Sequence, residues 1–414
     1  MGFMHKRIFQ VGLSFFLACW LLLGGFCQPA IALTDEQKLV AEAWRIVNRT
    51  YLDDTFNHQN WASVRYKALE TPLKGSQAAY LAIQNMLKSL DDPFTRFLSP
   101  EQYHSLQVNT SGELTGVGLQ IANNPETGQL EVVAPIAGSP AEKAGVRSRD
   151  RIVKIEGFPT EKLSLDEAAS RMRGPVGSTV TLMIERDGKG QWEVQIVRDL
   201  ISLNPVVAEL HSSPQGKSVG YIRLTQFNAN AAMELAHAIS SLEKKGADAY
   251  ILDLRNNPGG LLQAGIEIAR MWLDSGTIVY TVNRLGIMGS FDAIGSALTL
   301  DPLVVLVNEG TASASEILAG ALQDNSRAVL IGEKTFGKGL IQSLFELSDG
   351  SGLAVTIAKY ETPNHHDINK LGIQPDVQIS SEPITRDKIG TNADVQYQAA
   401  VEMLTSQSVV AERV

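Results

Sequence analysis

Cysteine is nearly missing from this chain. The 414 residues contain two, Cys19 and Cys27, and both lie in the first 32. An excess of positive charge is missing as well. With 36 Lys and Arg against 45 Asp and Glu the formal charge is −9, which argues against nucleic acid as the main partner, because phosphate binding wants a basic surface. The H-E-x-x-H helix of zinc peptidases does not occur either. Internal repeats and low-complexity stretches are absent too. What is there is 44% hydrophobic and 20% charged, ordinary globular usage that excludes long disorder, collagen and coiled coil, in a length suited to two or three domains.

The two cysteines sit in a segment that reads as a secretory signal. Lys6 and Arg7 form a basic head, Ile8 to Phe26 is an apolar run, and Ala30-Ile31-Ala32 is a small-x-small cleavage site. The alternative is an uncleaved membrane anchor, since the run nearly spans a bilayer. Bulky Phe26 before Cys27 disfavours a lipoprotein signal. Cleavage after Ala32 removes two basic residues and no acid, so the charge becomes −11 and no cysteine remains. An exported chain of this kind uses no disulfide, no thiol nucleophile and no cysteine-ligated metal.

Three patterns follow. Leu33 to about Leu98 is helical, with Thr34 and Gln37 as a capping box and further helices near Trp61–Glu70 and from Ser76. Short strands dominate from about Ser111 to Val197. From about Leu200, strands at Val219–Leu224, Ala249–Leu254, Ile278–Asn283, Leu303–Asn308 and Ala328–Gly332 alternate with helices, which predicts a mainly parallel sheet. The expected fold is α/β and α+β multidomain. Its parts are a signal peptide (1–32), an N-terminal helical domain (33–103), a strand-rich module (104–190), an α/β core (191–380) and a C-terminal helical tail (381–414).

Gly332-Glu-Lys-Thr-Phe-Gly337-Lys338-Gly339 almost matches the nucleotide-binding loop G-x-x-x-x-G-K-[ST], and Ala249 to Asp253 resembles a magnesium-binding strand. Yet Gly339 stands where a hydroxyl must ligate magnesium, and the acidic strand precedes the loop by nearly eighty residues, the reverse of the usual order. A different chemistry fits better. Ser313 falls at a strand-to-helix turn, where free amides and the helix dipole favour an anion. A serine nucleophile needs a base, and none of the seven histidines lies in this cluster. A lysine serves if burial disfavours its charged form. The plain alternatives are an ordinary N-cap for Ser313 and a solvated loop lysine for Lys338. His365-His366-Asp367 reads as an exposed loop rather than a metal site.

Thr311-Ala-Ser-Ala-Ser-Glu316, Gly337-Lys338-Gly339 with Gln342, Asp253-Leu-Arg255-Asn-Asn-Pro-Gly259-Gly260 and Gly372-Ile-Gln-Pro375-Asp376 together resemble the carboxyl-terminal processing (tail-specific) proteases, which are serine/lysine endopeptidases. Lys338 follows Ser313 by 25 positions, the family's interval. The resemblance implies Ser313 as nucleophile, Lys338 as general base and Gln342 as the residue orienting the lysine. It also implies the amides of Gly259 and Ala314 as an oxyanion hole, and no metal or cofactor. Asp324 falls at a position associated with the family's site, with either a supporting role or that of a helix-end polar residue. Asp253, Arg255 and Glu316 are expected to support the site, with Arg255 pairing Glu316 to brace the serine turn.

Thr115-Gly116-Val117-Gly118-Leu119, Ser139 to Gly145 and Asp150 to Gly157 resemble a PDZ domain. That resemblance implies binding of a substrate's terminal carboxylate at Gly116, Val117, Gly118 and Leu119, and gating of the site by the module. Trp61 to Glu70 and Leu90-Asp-Asp-Pro-Phe-Thr-Arg-Phe-Leu-Ser-Pro100 resemble the plant and cyanobacterial members, which remove the C-terminal extension of the photosystem II reaction-centre protein precursor. The implied partner is that precursor, with at most peripheral membrane contact. The implied location is the thylakoid lumen, with the periplasm and a general tail-specific role as the alternative. A non-catalytic PDZ adaptor would be expected to lack Ser313, Lys338 or Gln342, and all are present.

Overall fold

A computed structural model describes residues 33–406, apart from 71, 214–215, 381 and 383. The expected signal peptide and the last eight residues of the expected C-terminal tail lie outside the described residues.

A six-stranded sheet forms the centre of the α/β core. Its order is Val206–Ser212, Ser218–Leu224, Ala249–Asp253, Leu303–Val307, Val329–Gly332 and Val377–Gln378. All strands from Ser218 onward run parallel, and Val206–Ser212 pairs antiparallel at one edge. Parallel strands of this kind are covered on both faces, so they read as continuous apolar runs such as Leu303–Val307, every residue of which is buried. Alternate side chains separate the faces. Ile222, Leu224, Tyr250, Leu252, Val305 and Val307 pack under the helices Ala231–Lys244, Leu262–Trp272 and Ala314–Asp324. Tyr221, Ile251, Val304, Leu306 and Ile331 pack under Tyr397, Ala400 and Leu404 of the C-terminal helix Val395–Thr405.

The segment Thr277–Asn283 corrects the expected alternation. It does not join the parallel sheet. It pairs antiparallel with Gly286–Asp292 and with Gly352–Glu361, in a second sheet that also contains Leu340–Glu346 and Arg96–Leu98. A short β-branched run such as Ile278–Val282 fits either kind of strand, and periodicity alone does not separate them.

The helices Asp35–Thr50, Trp61–Glu70 and Ser76–Lys88 have no core to themselves. Val40, Val47, Ile83 and Leu87 pack against Leu347, Leu353 and Val355 of the second sheet. Thr34 and Gln37 form the expected capping box. The short strand Arg96–Leu98 stitches this layer to Gly352–Ala354, and the helix Pro100–Ser111 then runs through the expected boundary at residue 103. The next module has its own core of Val117, Val132, Ile152, Leu182 and Ile184. It is joined to the rest by a two-stranded ribbon, Glu113–Gly116 with Asp199–Ser202.

Candidate active site

The helix Ala314–Asp324 is apolar and nearly wholly buried, as expected of a helix enclosed on all sides. It therefore fixes the turn that precedes it. Thr311 at that turn donates its hydroxyl to the Leu254 carbonyl (2.9 Å) and accepts the Asn308 amide (3.0 Å). The Ala312 amide and the Ser315 hydroxyl both reach the Asn257 carbonyl, each at 3.0 Å. Ser313 between them has φ +59° and ψ −119°. An ordinary N-cap is extended with negative φ, so this backbone is strained by about 1–3 kcal/mol, which the surrounding bonds hold in place.

The loop Arg255–Gly260 lies directly against this turn. A Cβ on Gly259, whose φ is +90°, would come within 2.6 Å of the Ala312 carbonyl oxygen and 2.8 Å of Ser313 Cβ. One on Gly260 would meet the Phe227 carbonyl oxygen at 2.2 Å. Both glycines are therefore demanded by close approach. The expected pair of oxyanion amides is only partly available. The Gly259 amide donates to its neighbour Asn257 Oδ1 at 2.9 Å. Gly260, next in the loop, and Ala314 border the same cleft.

Lys338 enters from the opposite wall. A Cβ on Gly337 would meet the Gly372 amide nitrogen at 2.9 Å, and one on Gly339 would meet the Asn369 amide nitrogen at 2.7 Å. The two glycines thus let the lysine loop nest against the segment leading into Gly372-Ile-Gln-Pro375-Asp376. Lys338 is followed by the strand Leu340–Glu346, whereas a phosphate-binding loop opens a helix, so the nucleotide reading fails on topology. Lys338 Nζ lies 5.1 Å from the centre of the Phe94 ring. Burial lowers the lysine pKa from its ordinary value, and the Arg96 charge lowers it further, against the opposing pull of Glu316 and Asp92.

Glu316 ties the two walls together. It is fully buried and accepts four hydrogen bonds. Oε2 takes the amides of Ser313 (2.9 Å) and Lys338 (2.8 Å). Oε1 takes the Gly337 amide (2.7 Å) and the Thr335 hydroxyl (2.5 Å). The expected Arg255–Glu316 pair is therefore corrected. Arg255 turns away beneath the sheet to Asp253 (2.6 Å) and Asp394 (2.7 Å). Tyr360 adds a second tie, which no motif signalled. Its buried hydroxyl lies 3.0 Å from the Ser313 carbonyl oxygen and 2.5 Å from that of Lys338.

Ser313, Ala314, Lys338, Gln342, Gly259, Gly260 and Tyr360 line one cleft of about 590 Å³, together with Phe94 and Arg96. Gln342 shares the cleft, where its amide nitrogen lies 3.4 Å from Thr356 Oγ1. Asp324 is not in the cleft wall. It ends the helix and accepts the Asn364 amide at 2.9 Å, about 16 Å of helix rise from Ser313. Residues Phe94 and Arg96 belong to the Leu90–Pro100 segment, whose sequence signal pointed to subfamily rather than to the site.

Residues 218–379 match peptidase family S41, and residues 131–186 match the PDZ domain. A carboxyl-terminal-processing protease of Synechocystis sp. is 59% identical over 414 residues, covering 100% of this chain and 97% of that protein. The chain belongs to peptidase family S41. Carboxyl-terminal-processing peptidase 2 of Arabidopsis thaliana, a chloroplast protein, is 48% identical over 84% of this chain and 70% of its own length. The solved structure of a photosystem II D1 C-terminal processing protease matches with a TM-score of 0.58 and 40% identity, over 91% of this chain and 99% of that one. The chain is thus a serine-type carboxyl-terminal-processing peptidase with a PDZ domain joined to an S41 core.

The PDZ domain presents its glycine loop at a free sheet edge. Leu119–Asn123 is the outermost strand and faces the helix Leu165–Met172. The Val117 carbonyl accepts the Ala141 amide (2.9 Å), and the Gly118 carbonyl accepts the Ile136 amide (2.9 Å) and the Ser139 hydroxyl (3.1 Å). Gly118, with φ +78°, has no room for a side chain, since its Cβ would meet Ser139 Cβ at 2.3 Å.

Proposed function

We propose that Ser313 is the nucleophile and Lys338 its general base. The neutral lysine amine takes the Ser313 hydroxyl proton as Oγ bonds to the scissile carbonyl carbon. The resulting oxyanion is received by the Ala314 amide at the helix N-terminus and by the Gly259–Gly260 loop. With the Gly259 amide directed to Asn257, Gly260 supplies the second donor in this arrangement. Protonated Lys338 then gives its proton to the departing amine of the extension. Water, activated by the same lysine, hydrolyses the acyl-Ser313 ester and leaves a new C-terminus. Gln342 orients the lysine, while Asp253, Arg255 and Glu316 hold the loops and Asp324 supports the helix end.

The observation that carries this reading is the single buried carboxylate of Glu316, which fixes the backbone of Ser313 and Lys338 in one cleft, beside a lysine whose charged form burial disfavours.

The substrate is a protein with a free C-terminus, held as an added strand beside Leu119–Asn123 with its carboxylate at Gly116–Leu119. A cavity of about 900 Å³ between the helices Pro100–Ser111 and Leu165–Met172 shares Arg96 and Leu106 with the cleft, and so supports a continuous path from PDZ groove to nucleophile. The named relatives favour the photosystem II reaction-centre protein precursor as substrate and the thylakoid lumen as location. A general periplasmic tail protease is the second reading, favoured by the sequence-independent recognition that a backbone-amide loop provides.

The test incubates the chain from Leu33 with the precursor, the same precursor amidated at its C-terminus, and unrelated proteins carrying free tails. Cleavage of the free precursor, lost with amidation and in Ser313→Ala and Lys338→Ala, is expected, with resistance to chelators. Equal cleavage of free and amidated substrates would refute the PDZ assignment. Equal cleavage of all free tails would favour the general protease. Activity in Ser313→Ala would refute the nucleophile.

A further inference from the structure

The buried ion cluster beneath the active-site loop involves a residue that no motif marked. Arg255 is the second residue after the strand Ala249–Asp253 and begins the loop that carries Gly259 and Gly260. Its guanidinium points away from the cleft, into the layer between the parallel sheet and the C-terminal helix. There it donates two bonds to Asp394, at 2.9 and 2.7 Å, and one to Gln396 Oε1 at 2.9 Å. Asp253 accepts from the other side at 2.9 and 2.6 Å. Asp394 is completely buried, Gln396 is 1% exposed and Arg255 7%.

The two carboxylates outnumber the one cation, and the remaining charge is met by donors. Tyr221 donates its hydroxyl to Asp253 Oδ2 at 2.7 Å. The amides of Gly390 and Tyr397 donate to Asp394 at 3.0 and 3.2 Å. The last of these makes Asp394 the N-cap of the helix Val395–Thr405. Gln396 donates its own amide to the Ile379 carbonyl at 2.7 Å, which locks its acceptor toward Arg255. Burying such a cluster is worthwhile only when the geometry and every lone pair are satisfied, and here they are.

We propose that Asp394 is a positioning residue for the reaction: through Arg255 the C-terminal helix sets the height at which the Gly259–Gly260 loop meets Ser313. Asp394 lies beyond residues 218–379 that match the family. The route is short and rigid. Arg255 is clamped below the sheet, and two residues later the Asn257 carbonyl accepts from Ala312 and Ser315, while Asn257 Nδ2 donates to the Leu224 carbonyl at 2.8 Å. Asn256 and Asn308 exchange two bonds, at 2.8 and 3.1 Å, across the same seam. A loop held at both ends this way keeps its amide donors fixed, and preorganised donors are what an oxyanion hole requires. Releasing the Arg255 end lets the loop shift by a fraction of an ångström, enough to lower turnover without touching the groove that binds the tail.

This inference rests on the serine/lysine reading above. The test compares Asp394→Asn with the wild type on a peptide bearing a free C-terminus. Asparagine caps a helix as well as aspartate, so the substitution removes the charge pair and keeps the helix start. The expected result is a kcat lowered by about tenfold or more with KM within about twofold, the signature of an interaction used in the transition state. Hydrogen exchange across residues 255–262 should rise in parallel, while the helix Ala231–Lys244 is unchanged. Gln398→Ala, on the exposed face of the same helix, should behave as the wild type. If Asp394→Asn does not fold, Gln396→Ala decides, since it removes one acceptor from Arg255 and the bond to Ile379 but leaves both ion pairs in place. A folded variant with wild-type kcat and wild-type exchange at 255–262 overturns the inference. A wild-type chain inactive on every substrate would instead refute the peptidase reading, and the exchange experiment would still decide the loop anchor.

Discussion

Replacing Glu316 by Gln removes one charge and exchanges one acceptor oxygen for a donor. The carboxylate now receives three amides and a hydroxyl, so both oxygens are saturated. A glutamine can point its oxygen at the Ser313 and Lys338 amides. Its NH₂ then faces the Thr335 hydroxyl, which can turn to accept, and the Gly337 amide, which cannot. One buried N–H is left unpaired at a cost of about 1–3 kcal/mol, and the three surviving bonds lose their charge assistance. The opposite orientation strands the two amides of Ser313 and Lys338 and is worse. If the site expresses that cost in the transition state, kcat/KM falls by about 5- to 150-fold. A second effect has a definite sign. The Glu316 charge raises the Lys338 pKa, so its removal lowers it. A general base acts when neutral, so the ascending limb of kcat/KM against pH must move to lower pH. Steady-state kinetics across pH, with a melting curve to confirm the fold, checks both. Turnover within about twofold of wild type, or a limb that stays put or moves to higher pH, would refute the hub.

Arg96→Gln removes the exposed cation that lowers Lys338, so the ascending limb should move to higher pH, with the shift shrinking in high salt. A wild-type limb in low salt would remove Arg96 from the tuning of the base. Lys338→Met replaces a half-buried amine by an apolar chain of similar length. The lysine pKa is lowered in the fold, so at neutral pH the charged amine destabilises it. That penalty is full below the folded pKa and fades as pH rises toward the ordinary 10.5. The inactive variant should melt above wild type at pH 7, with the gap closing at alkaline pH, and a gap that widens instead would contradict the burial argument. Tyr360→Phe deletes the hydroxyl bridging the Ser313 and Lys338 carbonyls and should lower kcat several-fold, by about 1 kcal/mol, with KM unchanged. A pure KM effect would place Tyr360 in substrate binding.

Ser313, Lys338 and the two loop glycines were legible because each sits in a short contiguous motif whose demands are local. Gly259, Gly260, Gly337 and Gly339 have no room for a Cβ, and a local requirement of that kind is written at a single position. The helical phase that put Glu316 near Ser313 was also local, and it holds. Its partner was not legible, because choosing between Arg255 and four main-chain and hydroxyl donors depends on where the chain returns. Arg255 meets Asp394, which is 139 residues later, and Tyr360 reaches back 47 residues to Ser313. The same reason applies to Thr277–Asn283: its β-branched run fits either sheet, and only the pairing with Gly352–Glu361 assigns it.

The correction at Arg255 also explains how a lysine can be asked to serve as a base here. A guanidinium on Glu316 would have placed a permanent cation close to Lys338, and would have competed with the amides that align the serine and lysine backbones. Instead the guanidinium lies below the sheet between two carboxylates, and Glu316 is neutralised by donors that carry no net charge. Glu316 still favours the charged lysine. Burial, assisted by Arg96 at the rim, outweighs it, and the amine is held below its ordinary pKa. The two requirements therefore divide between two layers of the fold. The strong ion pairs stiffen the loop from beneath, where they cannot titrate the base. The cleft itself is built from amides, hydroxyls and glycines, which fix geometry while adding little charge to the place where a proton must move.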